Sequence, residues 1–150
     1  MSPDDTVYFY AQTDPYSEFS NFAPYGVALD GVWWPTTEHL FQAQKFADAD
    51  YREKIRRELR PKAAKELGMT RAYPLRADWE EIKDAVMLRA VLAKFKTHAK
   101  LAALLLSTGD RMIVENAPWD GYWGCGPDGA GLNRLGQILM SVRDQLRQEA

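Results

Sequence analysis

Pro35-Thr36-Thr37-Glu38-His39-Leu40-Phe41-Gln42-Ala43-Gln44-Lys45-Phe46 carries a helix-start signal at its front, where a proline and two threonines precede a mixed polar and apolar run. Thr37 is placed to accept a hydrogen bond from an otherwise orphan N-H of the first turn. At helical spacing Glu38, Gln42 and Lys45 fall at i, i+4 and i+7, which stacks a carboxylate, an amide and an amine on one face. Phe41 and Phe46 flank that line. Two readings follow. Spacing alone favours a solvated face with one weak ion pair; the other reading is a pocket wall, where an acid, a hydrogen-bonder and a nucleophilic amine reach one ligand.

Working outward, Asp30-Gly31 joins Tyr25–Leu29 to Val32–Trp34 as a two-residue hairpin turn that delivers the chain into this helix. Further upstream, Val7–Tyr10 reads as a short strand and Asp14-Pro15 as the turn after it. Phe19-Ser20-Asn21-Phe22 is either a loop pinned to the core by its aromatics or a ligand-facing hydrogen-bonding pair. Downstream, Asp48-Ala49-Asp50 caps a helix over residues 51–58 with an exposed charged face, and Leu59-Arg60-Pro61 breaks the chain and restarts it as a short helix ending near Gly68. Arg56, Arg57, Arg60, Lys62 and Lys65 form a local basic cluster, read as a solvated surface or a phosphate contact.

Asp78 is a good N-cap for a long helix over residues 79–97. Trp79, Ile82, Val86, Ala90 and Ala93 share one face and Leu88, Val91, Leu92 and Phe95 make its second half apolar nearly all round, so it is expected in the middle of the core, with Trp79 at the edge. Leu101–Leu106 continues as a buried helical segment ended by Gly109, and Arg111–Asn116 alternates like a strand.

The bounds are those of one globular domain over residues 1–150, with the stretches above read mostly as helices beside a few short strands. Hydrophobic residues make up 46% and charged residues 27%, and the formal charge is -2, which is not the basic footprint of a protein that lives along nucleic acid. One cysteine, Cys125, excludes an internal disulfide, and two histidines provide no convincing zinc set. Met1 to Thr6 shows no basic and apolar signal pattern, and no apolar run approaches a membrane span, so a reducing cytoplasm is expected.

Five of the ten glycines fall between Gly121 and Gly131, beside Trp119, Tyr122 and Trp123. Glycine permits close approach of backbone to a ligand, and a following helix over residues 132–147 would offer N-H groups to a phosphate; an aromatic-pinned turn is the other reading. That helix is expected to pack through Leu132, Leu135, Leu139, Val142 and Leu146. Gly124 to Gly129 also spells G-x-G-x-x-G, but too little chain follows to complete a dinucleotide-binding unit.

Four motifs together resemble the NADAR family, also called the YbiA-like family. They are Phe19-Ser20-Asn21-Phe22, Pro35-x-x-Glu38-His39-x-x-Gln42-x-x-Lys45-Phe46, Asp78-Trp79-x-x-x-Lys83-x-x-x-Met87, and Asp120-x-x-Trp123-Gly124-x-Gly126 followed by Asn133-x-Leu135-Gly136. The resemblance runs in order from about Phe9 to Leu146. It implies a YbiA-like α+β fold, mostly helical with a small β-sheet, without a metal or cofactor requirement, and an N-glycosidase activity. In the family, that activity is associated with the ribose C1 to nitrogen bond of phosphoribosylamino-pyrimidine intermediates of riboflavin synthesis, or with release of ADP-ribose from guanine. The family's helical acid falls on Glu38, its lysine on Lys45, its aromatic on Trp79 and its late acid on Asp120, while Cys125 receives no role.

On that footing Glu38, Lys45 and Asp120 are the catalytic candidates, and Ser20, Asn21, Gln42, Trp79, Trp123, Gly124 and Asn133 the substrate-binding ones. Glu38 would be the acid-base group if burial raises its pKa, and Lys45 a nucleophile forming a Schiff base with ribose if desolvation lowers its own. The opposite arrangement keeps Lys45 charged and paired with Glu38 or a phosphate. Trp79 would stack on the base, Asn21 and Asp120 would hold ribose hydroxyls, and the Arg56–Lys65 cluster or the glycine-rich turn would receive phosphate. Expected partners are a small ribosylamine or an ADP-ribosylated guanine, with a non-catalytic ADP-ribose or NAD-binding module as the rival class.

Overall fold

A computed structural model describes residues 5–149; Met1 to Asp4, most of the segment read above for a targeting signal, lie outside them. In order, the elements are β1 (Val7–Phe9), a 3-10 turn (Ser17–Phe19), β2 (Val27–Leu29), β3 (Val32–Trp34), α1 (Thr37–Gln44), α2 (Ala49–Arg56), α3 (Pro61–Gly68), α4 (Trp79–Thr97), α5 (Ala99–Ser107), β4 (Ile113–Glu115) and α6 (Arg134–Glu149). They divide into two compact units: Pro24–Lys94, and the chain up to Ala23 together with Phe95 onward. Among the described residues no helix is long and apolar enough to cross a membrane.

In the Pro24–Lys94 unit, Asp30 and Gly31 adopt positive φ of 53° and 78°, the primed turn that matches the twist of two antiparallel strands, and Leu29 faces Val32 across it. The hairpin leads into α1. Its N-cap is Thr36, not Thr37: Thr36 is extended and its hydroxyl accepts the His39 N-H at 3.1 Å, while Thr37 is already the first helical residue. The same hydroxyl sits 2.8 Å from His39 Nδ1, and His39 Nε2 lies 2.8 Å from the Glu58 carbonyl. A carbonyl can only accept, so Nε2 carries the proton and Nδ1 accepts from Thr36. A neutral imidazole thereby ties the start of α1 to the chain just after α2.

Asp48 caps α2 by accepting the Tyr51 N-H at 2.8 Å, and Pro61 opens α3, where a missing N-H is harmless. Although α2 shows its charges to solvent, Tyr51 and Ile55 join Val27, Trp34, Leu40, Ala43, Phe46, Ala64 and Ala90 in one buried cluster. Each large apolar side chain so placed contributes about 1.5–3 kcal/mol. The long helix α4 is less uniformly buried than its composition suggests. Met87, Ala90, Val91, Lys94 and Phe95 are buried, whereas Leu88 and Leu92 are half-buried, and Trp79 is inside rather than at an edge. Lys94, only 1% exposed, is the surprise on that face.

In the other unit β1 and β4 pair in parallel, Val7 with Ile113 and Phe9 with Glu115, so the expected small sheet is in fact two separate two-stranded ladders. Phe19 meets Phe9 edge-on at 5.9 Å and Phe95 at 5.8 Å. The last helix starts at Arg134 rather than Leu132, because Asn133 is left-handed at φ 53° and Leu132 is 56% exposed. Leu135, Leu139 and Val142 form its buried stripe as expected. Gly109, at φ 64°, ends α5.

Burial lowers the His39 pKa below its ordinary 6.5, against the smaller opposing pull of Glu58. A depressed value means the fold favours the neutral ring. The His39 contribution to stability is therefore complete above about pH 6.5 and is lost as pH falls from there through the folded-state value. Urea midpoints should drop between pH 7.5 and pH 5, and the His39 part of that drop should vanish in His39→Gln; an equal pH slope in the variant would remove His39 from the explanation.

Candidate active site

Seven consecutive residues of α1, Thr37 to Ala43, are buried, and so Glu38 and Gln42 are 7% and 5% exposed rather than solvated. The solvated-face reading of this line is thus overturned. Gln42 Nε2 donates to Glu38 Oε2 at 2.8 Å, one turn apart on the same helix face. Because a carboxylate oxygen needs a donor, the NH2 end of the amide must face Glu38, and Gln42 Oε1 is left as a buried acceptor with no hydrogen bond.

Lys45 follows at the C-cap of α1, half-buried, with Nζ 3.4 Å from the Gly68 carbonyl and 6.0 Å from the Phe41 ring centroid. Its pKa is lowered from 10.5. Desolvation is the largest cause, Glu38 opposes it by attraction, and the Lys65 charge lowers it further. The net direction favours the neutral amine, which is the nucleophilic form. Trp79 also packs on Phe41, 5.1 Å between centroids and tilted by 59°. The Pro24–Lys94 unit therefore carries the Glu38–Gln42 pair on α1 and, around Phe41, the Lys45 amine and the Trp79 ring.

The remaining candidates lie in the other unit, where the local geometry explains much of why those residue types occur. Ser20 Oγ accepts the Phe22 N-H at 3.1 Å, closing a tight turn, and Asn21 is 8% exposed. Asp120 Oδ1 accepts from the Tyr122 and Trp123 N-H groups at 3.0 and 2.9 Å. The Trp123 ring packs edge-on against Tyr122 at 4.8 Å. Gly124 has no room for a side chain, since a Cβ would sit 2.9 Å from the Glu115 carbonyl and 3.0 Å from Ala117. Its close approach is to the protein's own backbone.

Asn133 spans β4, accepting the Glu115 N-H at 3.0 Å and donating to the Ile113 carbonyl at 2.9 Å. The N-H groups expected to greet a phosphate at the start of α6 are already used: those of Asn133, Arg134 and Leu135 donate to the carbonyls of Gly124, Tyr122 and Trp123 at 3.0, 3.0 and 3.1 Å. The glycine-rich stretch is thus a turn knitted to the helix that follows. In the basic cluster, Arg56 and Arg57 both pair with Glu53, the second at 3.0 Å, which directs that surface towards its own acid.

Two residues of interest escaped the sequence reading. Lys94 was hidden in an apolar stretch of α4, where its position on the interior line with Ala90 and Val91 was the available signal; its Nζ lies 5.9 Å from the Tyr25 ring centroid. Gly68 passed as a helix terminator, and only its neighbours show what it does. Among the described residues, no group of His, Cys, Asp and Glu is arranged to hold a metal ion.

Residues 8–147 match the NADAR domain family model. The chain is 50% identical over 146 residues to the N-glycosidase YbiA of Escherichia coli K12, covering 97% of this chain and 91% of that protein. The NMR structure of E. coli YbiA superposes with a TM-score of 0.89 at 51% identity, over 97% of this chain and 87% of that one. The chain is also 40% identical over 146 residues to a protein of Vibrio vulnificus named as a riboflavin biosynthesis protein, of which it covers 39%. The α+β architecture is that of YbiA.

Two outcomes are expected from this geometry. Asn133→Ala should lose about 1–3 kcal/mol of stability, because two partners on the β4 backbone are left without their bonds; a urea midpoint equal to that of the native chain would show the brace to be idle. In a pH series of amine acylation read by peptide mapping, Lys45 should reach half-maximal labelling below the ordinary lysine value of about 10.4, and labelling at or above that value would contradict the desolvated amine.

Proposed function

This chain belongs to the NADAR domain family, and from that premise we propose that it is an N-glycosidase that cleaves the ribose C1 to nitrogen bond of a phosphoribosylamino-pyrimidine intermediate of riboflavin synthesis. The observation that carries the chemistry is the buried line of carboxylate, amide and half-buried amine on one face of α1. Relatives named N-glycosidase over nearly the full chain support the reaction class, and the relatives named for riboflavin biosynthesis support the substrate class.

Scission of a ribosyl C-N bond needs a nucleophile for C1 and a proton for the departing nitrogen. In the proposed sequence the Lys45 lone pair bonds to ribose C1. The base nitrogen leaves with the C-N bonding pair and takes a proton supplied by Glu38; the C1-O4 bond then breaks, a proton passes from Nζ to O4, and the ring-opened sugar remains as a Schiff base on Nζ. Water then adds to C1, Glu38 recovers a proton in the exchange, and rupture of the C1-Nζ bond releases ribose 5-phosphate and free amine. Desolvation of Lys45 supports the first step, since it lowers the amine's pKa and so favours the neutral, nucleophilic form. Trp79, seated against Phe41, offers the pyrimidine an aromatic edge.

A mass-spectrometric assay of the purified protein against a phosphoribosylamino-pyrimidine and an ADP-ribosylated guanosine tests the proposal. Ribose 5-phosphate should appear from the first and should be lost in Glu38→Gln with thermal stability nearly unchanged. ADP-ribose released from the second alone would reassign the substrate, and release from neither would leave a binding module. Borohydride added during turnover should trap a sugar on the peptide containing Lys45. An adduct mapped elsewhere, or none during proven turnover, would overturn the Schiff-base step.

A further inference from the structure

Helix α3 ends on a glycine that its helical role does not require. Gly68 is not among the residues with positive φ, and alanine in such a position is favoured over glycine by about 1 kcal/mol. What forbids a side chain there is Gln42. A Cβ on Gly68 would sit 2.0 Å from Gln42 Oε1, 2.7 Å from its Cδ and 2.9 Å from its Cβ. The amide cannot simply turn away, since its NH2 end is held by the Glu38 carboxylate at 2.8 Å and the residue is 5% exposed. The carbonyl of the same glycine lies 3.4 Å from Lys45 Nζ. One residue of α3 therefore touches both the amide that orients Glu38 and the amine of Lys45.

We propose that Gly68 is a positioning residue of the active site: its bare Cα seats the Gln42 amide against Glu38, and its carbonyl aims the Lys45 amine. The proposal rests on the N-glycosidase reading for its kinetic consequence, though not for its structural one. A carbonyl that accepts one N-H of a neutral amine leaves the nitrogen lone pair directed elsewhere, towards the attacked carbon. Gln42 Oε1 remains a buried acceptor without a hydrogen bond.

In Gly68→Ala the methyl group should displace the Gln42 amide and take its hydrogen bond from Glu38. Turnover should fall by about tenfold to a hundredfold, with KM changed by less than about twofold, as expected when geometry rather than binding is lost. The Gln42 side-chain amide resonances in a 1H-15N spectrum should shift, which a merely structural role elsewhere in α3 would not produce. In a Gln42→Ala background the same glycine substitution should cost less than about twofold further, since the side chain it displaces is gone.

A folded G68A chain with native turnover and unmoved Gln42 resonances would overturn the proposal, as would an equal loss in both backgrounds. If G68A alone does not fold, the double variant decides. Activity equal to that of Q42A supports the assignment, and an unfolded double variant overturns it, because Gly68 would then be needed by something other than Gln42. Should the native protein release no base from either substrate, the functional reading fails, while the amide resonances still judge the placement of Gln42 by Gly68.

Discussion

A helix buried along seven consecutive residues has to satisfy its polar side chains inside the protein, and α1 is that helix. Burying a polar group without a partner costs about 1–3 kcal/mol on mutational scales, so His39 and Glu38 in α1 recruit specific neighbours, while Gln42 Oε1 is left without a hydrogen bond. Thr36 and the Glu58 carbonyl hold His39, Gln42 holds Glu38, and Gly68 meets both Gln42 and Lys45. These bonds also fix where α2 and α3 lie, since His39 reaches the end of the first and Gln42 presses on the end of the second. The architecture of this unit and the chemistry of its candidate site are one set of constraints.

The same burial changes the electrostatics of an ordinary glutamate and lysine. On a solvated face the pair would be worth a few tenths of a kcal/mol and would hold ordinary pKa values. Removed from water, the amine is driven towards its neutral form, and Glu38 only partly restores the charge. Phe41 is near both Lys45 and Trp79, 6.0 Å from the amine and 5.1 Å from the Trp79 ring centroid. The other unit uses its motif residues differently. There Asn133, Gly124 and Asp120 knit β4, the glycine-rich turn and α6 into one framework.

Local signals were legible wherever one or two residues decide the backbone. Asp30-Gly31 specified its hairpin because few pairs accept positive φ twice, and single residues marked helix boundaries too: Asp48 by its side-chain cap, Pro61 by its missing N-H and Gly109 by its positive φ. The neighbouring errors have a common cause. Thr36 and Thr37 are chemically equal caps, and which of them stays extended depends on where β3 releases the chain. Leu132 belongs to the apolar period of α6 but is excluded by the left-handed Asn133, whose side chain is committed to β4. Lys94 on the inner line of α4 and the parallel pairing of β1 with β4 both depend on contacts distant in sequence.

The sequence by itself determined the α+β class, the family, the helices and their order, and the residues Glu38, Gln42, Lys45 and Trp79 as chemically interesting, because periodicity, turn stereochemistry and motif spacing are properties of neighbours along a chain. Whether the α1 line faced water or the interior was left to tertiary structure, and so was the direction of the Lys45 pKa shift. Solvation is a property of everything packed around a group. A lysine at helical spacing keeps its charge in water and leans towards the neutral amine as it is desolvated, and only the folded chain, with Phe41 beside the amine and Gly68 beneath the amide, sets that balance.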